Sequence, residues 1–320
     1  MTNIRDIAKM AGVSVTTVSR VLNHHPYVSE AKRAAVLEAI KKSHYHRNIN
    51  AVHLSKGKTN LIGVAVPFLN HPYFGQLIEG IADEAITQNH QLVLFQTNYE
   101  PQRELEALKM LKYKQIDALI ICSRAGSWEW IEEYQQYGTI VLCEDARKKP
   151  ISCTFIHHYQ CFQAALDFLH QKGHRKIGIS IGRTSGTNSH QRLRAYRDFL
   201  KNINEPYRKD YVFDHCLVLE DGVDIIERIS KMSEPPSALV ITSDEVAAGA
   251  LLQCQQKGIS VPEQLAIIGF NNQPISYLMN MTTIDIPLSE MGRSLFRQAC
   301  DGARISQKEM SYTLVERSTV

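Results

Sequence analysis

From residue 61 to the end, short apolar runs alternate with stretches of helical period, and this alternation restricts the fold more than any other feature of the chain. The runs 61–67, 91–97, 116–122, 139–143 and 153–156 form a first set. A second set comprises 176–181, 239–242, 265–270 and 283–286, with 211–213 a weaker candidate. Helical periods lie between them, for example at 73–88, 101–114 and 191–202. Continuous rather than alternating hydrophobicity in a short strand means burial on both faces, as under helices that cover a parallel sheet. The spacing therefore predicts βαβ units, and there are too many strands for one tidy sheet. Two doubly wound lobes are expected, with a ligand in the cleft outside the carboxyl ends of the strands.

The first sixty residues are built differently. Ile4, Ile7, Ala8 and Ala11 recur at i, i+3, i+4 and i+7, the stripe of one buried helix face. Gly12 follows, suited to a left-handed turn, and Ser14 stands where an N-cap is needed. A second helix, 15–23, offers Val18, Val21 and Leu22 to a core and turns Thr16, Arg20 and Asn23 outward. A third, 29–43, starts on Ser29 as N-cap with Glu30 in its first turn, and faces Val36, Leu37 and Ile40 inward. Two short helices joined by a tight glycine turn make a helix-turn-helix. Arginine and threonine on the outer face can meet base edges in a major groove, the arginine bidentate to guanine. Charge points the same way. Residues 1–60 carry ten Lys/Arg against three Asp/Glu, a net of +7, while the other 260 carry 26 against 30, a net of −4. A basic head on a mildly acidic body suits a polyanion. A merely solvated charged face is the bland alternative for the charge, and a helical hairpin with an incidentally polar outer face the one for the helices; the charge and the third helix weigh against the latter.

The run Asp6-Ile7-Ala8-Lys9-Met10-Ala11-Gly12-Val13-Ser14-Val15-Thr16-Thr17-Val18-Ser19-Arg20-Val21-Leu22-Asn23 closely resembles the signature of the lactose-repressor/galactose-repressor (LacI/GalR) family. The continuation Arg20-Val21-Leu22-Asn23-His24-His25-Pro26-Tyr27-Val28-Ser29-Glu30 is most similar to its catabolite control proteins of the B type. The resemblance implies a sequence-specific transcriptional regulator, a repressor by family analogy, bound as a homodimer to a roughly palindromic double-stranded DNA operator. It also implies that Val15, Thr16 and Arg20 read the major groove, while Ser14, Thr17 and Asn23 position phosphates. In the hinge, Tyr45, Asn48, Ala51 and Leu54 agree with the family pattern, but Arg47 replaces a proline and Val52 an arginine. Leu54 is the expected apolar wedge in the minor groove. Loss of the proline removes a fixed φ at the hinge-helix start, and residues 55–60 read as a linker in the absence of DNA.

Over the core the resemblance is looser, carried by Gly80-Ile81, Gly173-His174-Arg175-Lys176-Ile177-Gly178, Ser243-Asp244-Glu245-Val246-Ala247-Ala248-Gly249, Val261-Pro262 and the closing run 314–319. It implies a periplasmic-binding-protein fold: an α/β core after an all-α head. The head spans 1–60 with a hinge at 46–60, the first lobe 61–159 plus 289–320, and the second lobe 160–288. The same resemblance puts Tyr73, Phe74, Arg192 and Asp244 in an effector cleft, with Asn271 at the end of the 265–270 strand. Aromatic faces and hydrogen-bonding tips suit a sugar or another small polar metabolite, phosphorylated ones included. Asn271 and Asn272 stand where sugar-responsive relatives carry aspartate, so hydrogen bonds remain available without negative charge. Ordinary helix-start packing is the alternative for Tyr73 and Phe74, and a surface salt bridge for Arg192.

An effector of this kind is expected to shift the arrangement of the lobes and so the hinge, through its differential affinity for two states. A serine-phosphorylated phosphocarrier protein docking on the first lobe is the alternative input. Enzyme activity is not expected, nor a cofactor: there is no G-x-G-x-x-G after the first strand, no P-loop, no G-x-S-x-G and no H-E-x-x-H. His24-His25 and His157-His158 have no ligand-like partners in sequence. Seven scattered cysteines without C-x-x-C spacing predict buried thiols rather than a zinc site or disulfides. No apolar run is long enough for a bilayer, and the start of the chain lacks a signal-peptide pattern. A cytoplasmic protein is therefore expected, which together with the basic head argues against a transport solute-binding protein of the same core fold. With no leucine heptads before Val320, a dimer rather than a tetramer is expected.

Overall fold

The structure is a computed structural model that describes residues 2–46, 57–302 and 304–320. It falls into two compact units, Met1–Lys58 and Thr59–Val320.

In the first unit α1 (Ile4–Met10), α2 (Val15–Leu22) and α3 (Glu30–Ser43) pack around Ile7, Ala8, Val18, Val21, Val36 and Ala39. Asn3 and Asp6 close a reciprocal capping box on α1. Gly12 takes φ +64°, and the Val13 N–H reaches back to Ala8 O at 3.0 Å, which ends α1 and turns the chain into α2. Ser14 caps α2 with its Oγ accepting from the Thr17 N–H at 3.2 Å. Two expectations for α3 need correction. Its inward stripe is Val36, Ala39 and Ile40, at i, i+3 and i+4, which leaves Leu37 about one residue off the face and 53% exposed. Ser29 occupies the N-cap position but makes no side-chain capping bond.

The second unit contains two six-stranded sheets among the described residues. The first is built from β1 (Leu61–Val66), β2 (Gln91–Gln96), β3 (Ala118–Ile121), β4 (Thr139–Leu142), β5 (Ser152–Ile156) and β11 (Gln307–Met310), in the order β11-β5-β4-β3-β1-β2. Every pairing in it is parallel. The second has β6 (Ile177–Ser180), β7 (Val212–Phe213), β8 (Ala238–Ile241), β9 (Ala266–Phe270), β10 (Thr283–Asp285) and β12 (Thr313–Val315), in the order β12-β10-β9-β8-β6-β7. Here β12 alone runs antiparallel, against β10. The crossovers are α4 (Pro72–Thr87), α5 (Pro101–Lys112), α6 (Trp128–Tyr134), α7 (His158–Gln171), α8 (Thr187–Asn202), α9 (Leu219–Ile229), α10 (Asp244–Lys257), α11 (Pro274–Leu278) and α12 (Leu288–Cys300). Central strands such as β3, β5, β6, β8 and β9 are buried at every residue, because helices cover both faces.

The expected division assigned all of 289–320 to the first lobe. The structure splits this tail: α12 packs on α4 and β11 closes the first sheet, whereas β12 crosses back to pair with β10 of the second. The exposed edge of β10 is thereby covered, which removes a row of unpaired backbone groups. Residues 59–60 are not slack linker either. The carboxylate of Asp117 accepts the Thr59 N–H at 2.8 Å, the Asn60 N–H at 2.8 Å and the Thr59 hydroxyl at 3.0 Å. Of the cysteines, Cys300 is exposed and the other six are buried. Among the described residues no helix is long and apolar enough to cross a membrane.

Two contacts set the spacing of these layers. Helices α4 and α12 approach so closely that a Cβ on Gly80 would overlap the carbonyl oxygen of Ser289, and one on Gly292 that of Leu77. Asp244, at the start of α10 and fully buried, accepts the Thr283 hydroxyl at 2.7 Å and the Gln273 N–H at 2.7 Å, tying β10 and the loop after β9 to that helix. Gly80→Ala is expected to lower stability by about 1–3 kcal/mol through overpacking, seen as a lower midpoint in thermal unfolding. Asp244→Ala orphans a buried N–H and a buried hydroxyl, so calorimetry should find a loss of about 1–3 kcal/mol in the ligand-free protein.

Candidate DNA-binding face and effector cleft

On the head, the first two residues of α2, Val15 and Thr16, are exposed together with Arg20 on the same helix. Arg20 has no carboxylate partner among the described residues. The hydroxyls of Ser14 and Thr17 lie 3.0 Å apart at the cap, with Ser14 exposed and Thr17 half-buried. Asn23 forms the end of α2, where its Nδ2 donates to Ser19 O at 2.9 Å. Burial of Val18 and Val21 on the opposite side leaves this polar face outward. Leu54, with Arg47, Asn48, Ala51 and Val52, lies outside the described residues.

On the core, a cleft opens where the carboxyl ends of both sheets meet, the position at which open α/β sheets bind ligands. Its first-sheet wall carries His71, Tyr73 and Phe74 after β1, Tyr99 after β2 and Ser123 after β3. The second-sheet wall carries Arg183, Asn188, Ser189 and Arg192 after β6, Thr242 and Ser243 after β8, and Asn271 after β9. His158, the first residue of α7, faces the same space. The His71 Nδ1 caps α4 by accepting the Tyr73 N–H at 3.2 Å, and Pro72 supplies the first helical φ. Tyr73 meets Phe74 edge-on, with ring centroids 5.0 Å apart.

Of the sequence-derived effector residues, the fold brings Tyr73, Phe74, Arg192 and Asn271 together around the cleft. Asp244 does not join them. Both of its oxygens face the Thr283 hydroxyl and the Gln273 N–H, so in this structure it holds the loop that carries Asn271 instead of lining the space. Burial pushes its carboxyl up to about 7, against the pull of those bonds and of nearby Arg317. Arg192 carries no surface salt bridge: its guanidinium lies 5.3 Å from the Phe270 ring, without a carboxylate partner among the described residues.

Several cleft residues were not singled out in sequence. His158 has no ligand-like partner nearby in the chain, and its neighbour Arg192 arrives from another helix. Arg183 joins the walls. Its Nη1 and Nη2 donate to Arg124 O at 3.2 Å, Nη2 also reaches the Ser123 Oγ at 3.2 Å, and the guanidinium stacks 4.2 Å from the Tyr99 ring. The sequence does mark this loop: the glycine-poor, polar run 183–188 reads as closer to a ligand loop than a phosphate cradle, and its Arg183 and Asn188 line the cleft.

The cleft is polar beyond what its own side chains satisfy. Eight buried side-chain atoms have no hydrogen-bond partner among the described residues, and five of them belong to residues that line this space: His158 Nδ1, Asn188 Oδ1, Arg192 Nε, Ser243 Oγ and Asn271 Oδ1. Buried polar groups are ordinarily paired, so orphans gathered in one cavity mark a place for a polar occupant. Burial, and Arg192 beside it, hold His158 well below the usual imidazole range, hence neutral at pH 7. Burial also lowers Arg192 and pushes the Cys216 thiol up to about 12.

Residues 59–309 match the model of periplasmic binding proteins and the sugar binding domain of the LacI family, and residues 3–48 that of the bacterial regulatory proteins of the lacI family. The HTH-type transcriptional regulator YkvZ of Bacillus subtilis is 46% identical over 323 residues, covering 100% of both chains. Catabolite control protein B of the same organism is 35% identical, with 92% of this chain and 93% of that protein covered. The fold also superposes on the Lac repressor dimer bound to operator and the anti-inducer ONPF, with a TM-score of 0.83, 21% identity, and 99% of this chain and 98% of that chain covered. A helix-turn-helix head, two largely parallel sheets meeting at a polar cleft, and these matches over the full length lead to one conclusion: the chain belongs to the LacI family of transcriptional regulators.

Proposed function

We propose that this regulator is a homodimeric repressor, acting in the cytoplasm, whose affinity for its operator is set by a small polar metabolite in the core cleft. The observation that carries the reading is the convergence of five orphaned polar atoms on one cavity between the two sheets. A ligand that satisfies groups on both walls favours one arrangement of the lobes, and only such a difference in affinity can alter DNA binding. Sugars remain within the class, as the matched family model describes a sugar binding domain.

On the DNA side, Arg20, Thr16 and Val15 are assigned to base edges, with Ser14, Thr17 and Asn23 at phosphates. The two hydroxyls at the cap of α2 sit beside its positive end, where a phosphate is favoured. Leu54 retains its proposed role as the minor-groove wedge. Dimerisation is supported by large apolar side chains left uncovered on the core: Ile86 on α4, Leu94 on β2, and the adjacent Tyr277 and Leu278 of α11, 76% and 77% exposed. A second copy covering them would remove that surface from water.

Arg20→Ala is expected to weaken binding to the operator selected by the wild-type protein by about 1–3 kcal/mol, with relaxed preference at the base pair it reads. Gel-shift titration measures this, and unchanged affinity and footprint would refute the assignment of α2. Leu278→Asp, or Tyr277→Asp, should convert the dimer to monomer in analytical ultracentrifugation; a dimer that survives both places the interface elsewhere. A metabolite that fills the cleft must change operator affinity in the same gel-shift assay. If every cleft-bound molecule leaves that affinity untouched, the effector reading fails.

A further inference from the structure

We infer that the cleft selects an anion-bearing metabolite, a small polar compound whose carboxylate or phosphate lies against Arg192, Arg183 and the first turn of α8. The inference rests on the reading of the cleft as the effector site and adds to it the charge of the effector.

The cleft lining includes two guanidinium groups, Arg183 and Arg192, and no aspartate or glutamate among the described residues. Carboxylates close to the lining are engaged elsewhere: Asp244 with Thr283 and Gln273, Glu144 with Arg124 at 2.7 Å, and Asp221 with the Leu217 and Val218 N–H groups. Arg183 donates only to a carbonyl and a hydroxyl. Arg192 is the sharper case, since its Nε is buried without a partner and its guanidinium lies 5.3 Å from the Phe270 ring centroid. A guanidinium nitrogen shut off from water is costly unless it is paired. The thiols that line the space do not supply the missing charge, because burial raises both Cys122 and Cys216 and keeps them protonated.

Helix α8 adds a second source of positive potential at the same place. It begins on Gly186, which has no side chain to cap it, and its first amide with an acceptor from the cap is that of His190, donating to Gly186 O at 3.1 Å. The earlier amides of a helix have no intrahelical acceptor and favour an anion. Asn188 and Ser189 in that first turn line the cleft, and Arg192 stands one turn further along the same helix. Independent of the helix end, the nine-tenths-buried side chains of His158, Ser243 and Asn271 carry unpartnered polar atoms into the same cavity. These offer hydrogen bonds to hydroxyl or amide groups on the rest of the ligand, beside the Tyr73 and Phe74 rings. One molecule can therefore present its charge to the second-sheet wall and its neutral body to the remainder.

The test uses the full chain at constant ionic strength, with thermal unfolding and calorimetric titration against five probes: D-glucose, D-glucosamine, D-gluconate, D-glucose 6-phosphate and inorganic phosphate. At least one anionic probe should bind and raise the midpoint, while glucose and glucosamine should not. Gluconate against the phosphates tells which anionic group is preferred. Arg192→Gln should weaken the anionic probe by about tenfold or more, the loss of a charge-assisted hydrogen bond, and Arg192→Lys should lose less. Asn188→Asp places a carboxylate one turn before Arg192, where the pair can close on itself; it should raise the midpoint of the ligand-free protein and also abolish anion binding. Binding of glucose or glucosamine as tight as that of the anions overturns the inference. So does an absence of binding by all five probes, or anion binding that persists in both Arg192→Gln and Asn188→Asp. If glucose binds and shifts operator affinity, the effector reading stands and the charge assignment falls. If an anion binds at Arg192 and operator affinity does not change, the charge assignment stands and the effector reading falls.

Discussion

Parallel pairing is the constraint on which the core rests. Strands that run in one direction must be joined by crossovers, so the parallel strands of a sheet end at the same rim and the next helix starts there. In this chain α4, α7, α8 and α10 all begin beside the cleft, with His71, His158, Asn188 and Ser243 at or next to their first turns. Residues from both sheets, remote in sequence, become neighbours because strand direction leaves them no other place. The cleft inherits the positive ends of those helices, and Arg183 and Arg192 reinforce that polarity.

The same packing explains why some residues line the cleft and others only hold its walls in place. Gly80 and Gly292 let α4 and α12 meet backbone to backbone, which fixes the helix that carries Tyr73 and Phe74. Asp244 pins the loop after β9 and so places Asn271, while Asp117 anchors the chain where it enters the first sheet. Around these satisfied groups sit orphaned ones. A core that pairs Asp244 fully and leaves Arg192 Nε and His158 Nδ1 without partners concentrates its unsatisfied polarity where a ligand can reach it.

The head follows a different economy. Six small apolar side chains form its core, and the helix ends are closed locally, by Asn3 with Asp6 on α1 and by Ser14 on α2. With so little interior, Arg20 and Thr16 are left on the surface by geometry alone. The face assigned to the major groove is the side of α2 that its neighbours do not need.

What the sequence determined by itself was local and periodic. The apolar runs located nearly every strand of both sheets, the stripe through Ile7, Ala8, Val18 and Val21 located the head, and the turn at Gly12 with the cap at Ser14 could be read directly, since each depends on residues a few positions apart. Strand β11, Gln-Lys-Glu-Met, gave no apolar signal because it is an exposed edge that needs only backbone pairing with β5. Tertiary structure alone decided that β12 returns to the second sheet, that Asp244 faces inward and not into the cleft, and that His158 lies beside Arg192. These are outcomes of which helix packs on which sheet. A side chain's exposure in a cleft depends on partners distant along the chain, and no periodicity within one segment records them.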